Sequence, residues 1–470
     1  MVLGIRFSHP LSQIVLVSMI CFTCPGFFNS LNGMGANGRT SGVVWVTNDA
    51  NTALSVTFTV SSLLGGGVYN IVGNKIIIPA ALTYVLYIGS YLSDSNEFTI
   101  AAGALLGIGA GFLWATQGAI MMSYPTEENK GKYFAIFWMI FNVGAVIGAA
   151  VNLGPIINNA TVNAVPISTY IAFMVIMSIG AIMGIFLLNP KKVIHSDGTP
   201  VSMHKYSNVG RETREILKLF ANWKMLLLIP LFGGSNWFYT YQFSDYQAGG
   251  FFNGRARALN NLMYWLFQIF GAGLYGLFLD WTFLGNRKRR AWLGWAVNFV
   301  CLCAVFLGAV FVQKKFERGQ YGCTEVTAAC PAPPTDITTP GYAGYLINYM
   351  LFGMVDAIYQ GFCYWLMGAL TNDVERASRY AGFYKTIQNA FNAIAPQVDN
   401  SGAPYMVGLL VAWMLCVLGL LMAIPVIYTV TDVTEEVVDN LAGIEGEEKV
   451  VGGVVEGLPS YHDKEQAADA

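Results

Sequence analysis

Twelve apolar runs, each long enough to cross a bilayer, constrain the fold of this chain more than any other feature. A membrane-spanning helix needs about 20 largely apolar residues. Runs of this kind lie near 11–33, 51–72, 76–93, 99–123, 133–153, 167–188, 225–243, 258–280, 291–312, 343–370, 379–398 and 405–429. Only 11% of the residues are charged, against roughly 25% in soluble domains. The pattern predicts an all-α membrane protein with twelve transmembrane helices.

Polar segments divide these runs into two sets of six. A segment of basic character separates the sets, and a polar, acidic segment follows the second set. We expect an N-terminal six-helix half at 1–188, a cytosolic linker at 189–224, a C-terminal six-helix half at 225–429 and a disordered cytosolic tail at 430–470.

The distribution of basic residues predicts the orientation in the membrane. Most of the 26 Lys and Arg residues fall on the side that holds both termini, and cytosolic loops are the basic ones, so both termini are expected in the cytosol.

The sequon Asn159-Ala160-Thr161 and the pair Cys323 and Cys330 fall in loops on the opposite side. We predict glycosylation at Asn159 and a Cys323–Cys330 disulfide, which needs an oxidising compartment. Either the plasma membrane or an endomembrane fits.

Two sequence matches suggest that the second six helices repeat the first six in parallel. Residues 128–135 (ENKGKYFA) resemble 375–382 (ERASRYAG), and the same offset places Asn142 over Asn389. Residues 65–69 (GGGVY) match 271–275 (GAGLY). Chance similarity between Gly-rich helices is the alternative. The matches pair span 2 with span 8 and span 5 with span 11, which predicts two pseudo-symmetric six-helix bundles.

A glycine-rich loop stands at the equivalent place in each half. The first copy reads Gly66-x-x-x-Asn70-x-x-Gly73-Asn74-Lys75 and the second Gly276-x-x-x-Asp280-x-x-x-x-Gly285-Asn286-Arg287. Both resemble the cytosolic G-x-x-x-D-x-x-G-R-[RK] loop of the major facilitator superfamily. The first copy departs from it by Asn70 in place of Asp, and the second by two extra residues before its Gly. The resemblance implies the major facilitator fold and a cytosolic latch between the halves, formed by Gly66, Asn70, Gly73, Lys75, Gly276, Asp280, Gly285 and Arg287.

The first span narrows the resemblance. Residues 24–35 (CPGFFNSLNGMG) are similar to the opening helix of the fungal Unc-ninety-three-like proteins, a branch of the major facilitator superfamily also labelled ion channel regulatory proteins. The resemblance implies a transporter that moves a small solute by alternating access. Some animal members act as channel subunits or trafficking partners, so a non-transporting membrane regulator is the alternative.

Polar side chains inside the spans are the candidate residues for substrate binding or coupling, because an ionisable group at mid-bilayer costs at least about 2.5 kcal/mol. Asp356 is the candidate coupling carboxylate, with Gln360 one turn later on the same face; alternatively, Lys385 or an amide satisfies Asp356 structurally. Lys385 could serve as a ligand, a gate or a snorkelling anchor. The same criterion selects Asn29, Asn32, Trp114, Gln117, Asn142, Asn236, Gln388, Asn389 and Asn392, with the membrane interface as the alternative for Trp114, Gln117 and Asn236.

Motifs for catalysis, metals and cofactors are missing from the sequence. Cys21 and Cys24 lie in an apolar helix without a nearby His or acidic ligand, the four His residues show no metal spacing, and no Walker loop occurs. We therefore expect no enzymatic activity, no metal and no cofactor. The expected partners are the lipid bilayer, a small-molecule substrate and protons as coupling ions, or a membrane-protein partner for a regulator, and no nucleic acid.

Overall fold

The computed structural model describes residues 6–431 except 40–42, 94, 125–129, 159–163, 195–197, 199–208, 321–332 and 372–373. Within these residues the chain forms helices and no strand. Three predictions fall outside them: the glycosylation site Asn159, the disulfide between Cys323 and Cys330, and nearly all of the acidic tail.

Twelve long helices follow the twelve predicted runs one for one, which confirms the fold class. Their bounds are α1 Pro10–Asn32, α2 Val44–Val72, α3 Ile77–Ser90, α4 Asn96–Ser123, α5 Lys130–Leu153, α6 Ile167–Met183, α7 Trp223–Tyr239, α8 Gly254–Asp280, α9 Arg287–Gln313, α10 Tyr342–Leu370, α11 Val374–Asn400 and α12 Tyr405–Tyr428. A thirteenth, Val209–Lys218, lies between the two sets of six; we call it the linker helix. Because successive spans alternate in direction, the end of the bundle where α1 and α11 end is called the outer end, and the opposite end the inner end.

Not all of these helices are equally apolar. Seven of the described helices, namely α1, α4, α5, α6, α8, α9 and α12, are long and apolar enough to cross a membrane on their own composition. An eighth is added if Thr213–Ala221 and Trp223–Gln247, bent by 98° at their junction, are counted as one. The helices α2, α10 and α11 are long but do not meet this criterion, and polar residues such as Asn48, Asp356 and Gln388 on them are buried in the interior of the bundle.

Buried apolar side chains form two clusters. One contains residues of α1–α6 between Ile14 and Val193, and the other contains residues of the linker helix and α7–α12 between Ile216 and Val430. Ala145 and Ala149 of α5 pack into the second cluster and Ala258 of α8 into the first, so α5 and α8 are in contact. Large apolar side chains remain exposed on the outside of the bundle, such as Leu277 and Val300, where lipid covers them.

The internal repeat has local structural counterparts. A π-helical segment interrupts α1 at Phe22–Gly26, and another extends α7 over Thr240–Gln247. Asn142 donates to the carbonyl oxygen of Trp138 at 3.0 Å, and Asn389 donates to that of Lys385 at 2.8 Å. These residues occupy the same positions in the two copies, so the sequence repeat extends to side-chain conformation.

The π segment in α1 arises at Pro25, which lacks an amide hydrogen and disrupts the regular helical bonding. The chain stays helical there and does not unwind. Gly26 faces Gly144 of α5, and a Cβ on Gly26 would lie 3.2 Å from the Gly144 Cα. A Cβ on Gly144 would overlap the Phe22 carbonyl oxygen. The widened turn and the two glycines therefore bring the backbones of α1 and α5 into direct contact.

We predict that Gly144→Ala destabilises the protein by about 1–3 kcal/mol, because the added methyl group forces the α1 and α5 backbones apart. The loss would be measured as a lower Tm in detergent or nanodiscs. Gly273→Ala in α8 is the matched control, since its Cβ would meet no atom within 4 Å and alanine favours helix. Equal Tm values for the two variants would contradict the close approach of α1 and α5.

Candidate functional site

A cavity of about 180 Å³ lies between the two sets of six helices, near the middle of their length. Helices α1–α5 form one wall, and α7, α8, α10 and α11 form the other. The lining combines amide side chains with aromatic rings. Its residues are Pro25, Phe28, Asn29, Asn32, Asn51, Leu54, Phe58, Tyr84, Leu106, Ala110, Trp114, Trp138, Phe141, Asn142, Asn236, Tyr239, Thr240, Phe243, Ser244, Trp265, Gln268, Gln360, Lys385, Gln388, Asn389, Asn392 and Pro396.

The structure brings most of the predicted site residues together around this cavity. Those that line it are Asn29, Asn32, Trp114, Asn142, Asn236, Gln360, Lys385, Gln388, Asn389 and Asn392. Asp356 and Gln117 are buried but do not line it. Sequence reasoning missed Asn51 and Gln268, although each is a polar residue inside an apolar span and met the criterion that selected the others. Apart from Trp114, the aromatic lining gave no comparable signal, because aromatic residues are common throughout the chain.

Asp356 lies one layer behind the cavity wall, with 1% of its surface exposed. Its Oδ2 accepts hydrogen bonds from the Tyr239 and Tyr264 hydroxyls, each at 2.9 Å, and from Gln268 Nε2 at 2.7 Å. Its Oδ1 accepts from Gln360 Nε2 at 2.7 Å. Hydroxyl and amide donors therefore compensate the carboxylate, and Lys385 makes no ion pair with it among the described contacts. Tyr239, Gln268 and Gln360 line the cavity themselves, so they connect Asp356 to it.

Lys385 presents its ammonium group to an aromatic box rather than extending to the inner interface. Its Nζ lies 5.2 Å from the Tyr384 ring centroid, 5.7 Å from that of Trp114 and 5.9 Å from that of Tyr364. These are cation–π distances. The described hydrogen bond of Nζ goes to Gln388 Oε1 at 2.8 Å. Trp114 belongs to the first set of helices and Lys385 to the second, so this contact also joins the two.

A chain of amides connects the two ionisable groups. Gln388 Nε2 lies 3.4 Å from Gln360 Oε1, and Gln360 Nε2 donates to Asp356. Gln388 Nε2 also lies 2.9 Å from the Ser235 and Tyr384 hydroxyl oxygens. The side chains of Gln388 and Gln360 therefore connect Lys385 to Asp356 without a direct ion pair.

The glycine-rich loops make their described contacts within their own halves. Lys75 donates to the carbonyl oxygens of Ile185 and Leu187, at 2.5 and 3.4 Å, and so caps the end of α6.

Gly73 and Gly285 have φ values of 73° and 101°, in the left-handed region that glycine favours. A Cβ on Gly276 would meet no atom within 4 Å, so helices do not meet closely there. Arg287 begins α9. The side chains of Asn70 and Asp280, and the surroundings of Gly66, lie outside the described part.

Hydrogen bonds join the two sets of helices closely at the outer end. Asn48 of α2 donates to Asp399 Oδ2 and Asn400 Oδ1 of α11, at 2.5 and 2.9 Å, and accepts from the Ser244 hydroxyl at 2.9 Å. Arg257 of α8, 3% exposed, donates to three backbone carbonyls just after α1, those of Met34, Gly35 and Arg39. These contacts close the outer end over the cavity.

Contacts at the inner end are different in kind. The Trp138 ring of α5 meets the Tyr364 ring of α10 at 6.4 Å, edge to face. The Thr213 hydroxyl of the linker helix donates to the Leu63 carbonyl of α2 at 3.3 Å. The described residues thus seal the outer end with a polar network, whereas ring contacts and the linker helix join the halves on the inner side.

Comparisons with known proteins agree on family and fold. The sequence model described as ion channel regulatory protein UNC-93 matches residues 50–246. An UNC93-like protein of Schizosaccharomyces pombe is 39% identical over 443 residues, which cover 93% of this chain and 86% of that protein. UNC93-like protein 1 of Arabidopsis thaliana is 41% identical over 417 residues, 87% of this chain and 88% of that protein.

Solved structures give the fold. A D-xylose-proton symporter superposes with a TM-score of 0.57 at 12% identity, over 91% of this chain and 97% of its own. A partially occluded inward-open structure of the E. coli xylose transporter gives 0.55 at 11% identity, over 91% and 98%. Identities this low show the fold alone, which is the major facilitator fold of two six-helix bundles.

We predict that Asp356→Asn lowers the stability by about 1–3 kcal/mol, because an amide cannot accept from four donors on both of its atoms and leaves buried groups unsatisfied. The Tm of the purified protein would report the loss. Asn236→Ala is the matched control, since it removes a polar side chain from the cavity wall without disturbing the Asp356 network. An unchanged Tm for Asp356→Asn would contradict the structural importance of these hydrogen bonds.

Proposed function

The chain belongs to the UNC-93 family and has the major facilitator fold, and we propose that it moves a small solute across its membrane by alternating access. The observation that carries this proposal is the polar cavity between the two six-helix halves. Both halves direct amide side chains into this cavity rather than toward lipid. Solute sites of transporters with repeated halves lie near mid-bilayer, where the repeats meet.

The size of the cavity limits the solute. An engineered cavity of about 150 Å³ holds a benzene molecule, and the cavity here has about 180 Å³. A solute with one ring and a small polar group therefore fits. Rings such as Trp114, Phe141 and Trp265 suit a flat, apolar body, and the amides of Asn142 and Asn389 provide hydrogen bonds.

Charge favours a solute with a hydrogen-bond acceptor or an anionic group. Among the described lining residues Lys385 is basic and none carries a carboxylate. Asp356 is one layer behind the cavity wall, and Gln360 and Gln388 connect Asp356 to Lys385. We propose that Lys385 binds the polar group of the solute and that Asp356 senses its presence through these amides, with a proton as the coupling ion.

The contacts at the two ends support a state in which the outer end is closed. The outer end is sealed by Asn48, Arg257 and their partners. We propose that this end faces away from the cytosol, as the basic loops indicate, and that the termini and the acidic tail are cytosolic. The glycine-rich loops would then act as the cytosolic latch when the inner end closes.

A non-transporting regulator of a membrane partner is the second candidate. Two observations favour it: Asp356 is fully satisfied by four donors, and the matching family model is described as an ion channel regulatory protein. A regulator needs no solute in the cavity, so solute movement separates the two candidates.

The test is a comparison of the solutes inside cells with and without the protein, followed by flux of each altered solute in reconstituted vesicles. Transport predicts at least one solute whose flux needs the protein and falls when Asn389, a lining amide, is changed to Ala. Flux equal to that of empty vesicles for every altered solute would contradict the proposal and favour the regulator.

We predict that the cavity prefers benzoate over the isosteric benzamide and benzylammonium, because Lys385 offers a charge-assisted hydrogen bond worth about 1.5–3 kcal/mol. Binding would be followed by quenching of tryptophan fluorescence, since Trp114, Trp138 and Trp265 line the site. Lys385→Gln should weaken benzoate binding about 10- to 100-fold and leave benzamide unchanged. Lys315→Gln, a basic residue outside the cavity, is the matched control. Equal affinity for the three probes, or no loss in Lys385→Gln, would contradict this role.

A further inference from the structure

Two buried carboxylates share one basic side chain at the outer end. Asp245 lies in the π segment that extends α7, and Asp399 lies at the end of α11; they are 2% and 5% exposed. Arg318, which follows α9, contacts Asp399 Oδ1 through Nη2, and the same nitrogen lies 3.7 Å from Asp245 Oδ1. The three side chains border a void of about 20 Å³, large enough for one water molecule.

One carboxylate oxygen of this cluster lacks a donor. Asp245 Oδ1 is buried and accepts no hydrogen bond from any described residue, although Asp245 Oδ1 and Asp399 Oδ1 both lie next to Arg318 Nη2. Two ionised carboxylates only accept, so they cannot bond to each other. A proton held between Asp245 and Asp399 would provide the missing donor.

Charge balance leads to the same conclusion. Arg318 is the cation that faces the pair, and one guanidinium balances one carboxylate. Two buried carboxylates beside one guanidinium each disfavour the charge of the other, so the pair binds a proton more readily than an isolated carboxylate does. The Asp399 Oδ2 atom also accepts from Asn48 at 2.5 Å, whereas Asp245 Oδ1 has no such donor among the described residues.

Among the residues that the structure describes, the other groups around the pair add no second cation. The Tyr241 hydroxyl on α7 donates to Gln313 at 2.9 Å. The Tyr405 ring at the start of α12 lies under the Arg318 guanidinium at 4.3 Å. Asp49 on α2 accepts from the amides of Gln397 and Asn400, at 2.8 Å each. Arg318 itself is 32% exposed, and it therefore forms a route between the pair and outer water.

The pair belongs to the seal between the halves. Asn48 is on α2 of the N-terminal half, and Asp399 and Ser244, its hydrogen-bond partners, are in the C-terminal half. Ser244 precedes Asp245 and lines the central cavity. Separation of the outer ends would break the Asn48 contacts and admit water to both carboxylates.

We propose that Asp245 and Asp399 form a proton-binding site that controls closure of the outer end. The closed state holds one proton between the two carboxylates, taken from water on the outer side along Arg318. On opening, the carboxylates separate and hydrate, the bridging hydrogen bond breaks, and the proton leaves to water. The role of this site in transport rests on the proposed function, whereas the coupling of closure to the proton does not.

The experiment is hydrogen exchange, measured by mass spectrometry, on the full chain in nanodiscs. Exchange in 44–56 of α2 and 392–400 of α11 is compared at about pH 5 and about pH 9, after correction for intrinsic rates. Because protonation favours the closed state, both segments should exchange about tenfold more slowly at the lower pH, as a local opening equilibrium shifted by protons requires. Corrected exchange that is independent of pH would overturn the proposal.

Variants assign the effect to the pair. Asp245→Asn leaves one carboxylate for one guanidinium, so closure needs no proton and both segments should stay protected at both pH values. Asp49→Asn, at the same end of α2, should keep the pH dependence of the wild-type protein. Retention of the full pH dependence in Asp245→Asn, or its loss in Asp49→Asn, would contradict the assignment.

Two measurements on the wild-type protein keep the test valid if Asp245→Asn fails to fold. Infrared difference spectra between the two pH values should show a protonated carboxyl band whose pH midpoint matches that of the exchange. Sodium at constant pH should have no effect; protection by sodium instead of protons would overturn the proposal in favour of a cation site. Transport failure would abolish flux and leave this pH response intact, so the two proposals fail separately.

Discussion

A polar group buried in a lipid bilayer must find its partner within the protein, and the rest of this structure depends on that constraint. The long spans α2, α10 and α11 turn amides and carboxylates such as Asn48, Asp356 and Gln388 away from lipid and toward the interior of the bundle. There Asp356 is surrounded by four donors. The apolar helices such as α9 and α12 are free to face lipid. The cavity and the outer seal are both consequences of this sorting.

The same constraint explains why the two ends differ. Arg257 is buried without an ion pair among the described residues. Each of its three guanidinium nitrogens donates a hydrogen bond to a backbone carbonyl after α1, near the negative end of the helix dipole. Asn48 bridges to Asp399 in a similar way. Polar contacts of this kind are specific but can be exchanged for water, so an interface built from them can open. The Gly26–Gly144 contact within the N-terminal half has no such alternative and keeps α1 and α5 together.

The sequence was sufficient for the twelve spans, the repeat and most of the polar side chains of the cavity wall, because each rests on a local pattern: an apolar run, a repeated segment, or a polar residue inside a run. It made Asp356 the candidate coupling carboxylate but did not predict that the side chain lies one layer behind the cavity wall, since the helix face of a residue is set by packing with α7 and α8. It did not identify Asp245 and Asp399 as a pair, because they are far apart in sequence and each lies near the end of a span. Burial of that pair depends on how α7 and α11 converge, which no local pattern encodes.

The two halves are proposed to open alternately on either side of the cavity, and distances between spin labels in lipid bilayers test this opening most directly. One pair would join Trp45 and Ser401 across the outer end, and a second would join Ile71 and Phe283 across the inner end; these side chains are exposed in the structure. The account predicts two populations for each pair, with the short outer distance accompanied by the long inner distance and the reverse. A single, unchanging distance for each pair, with or without solute and at every pH, would contradict alternating access.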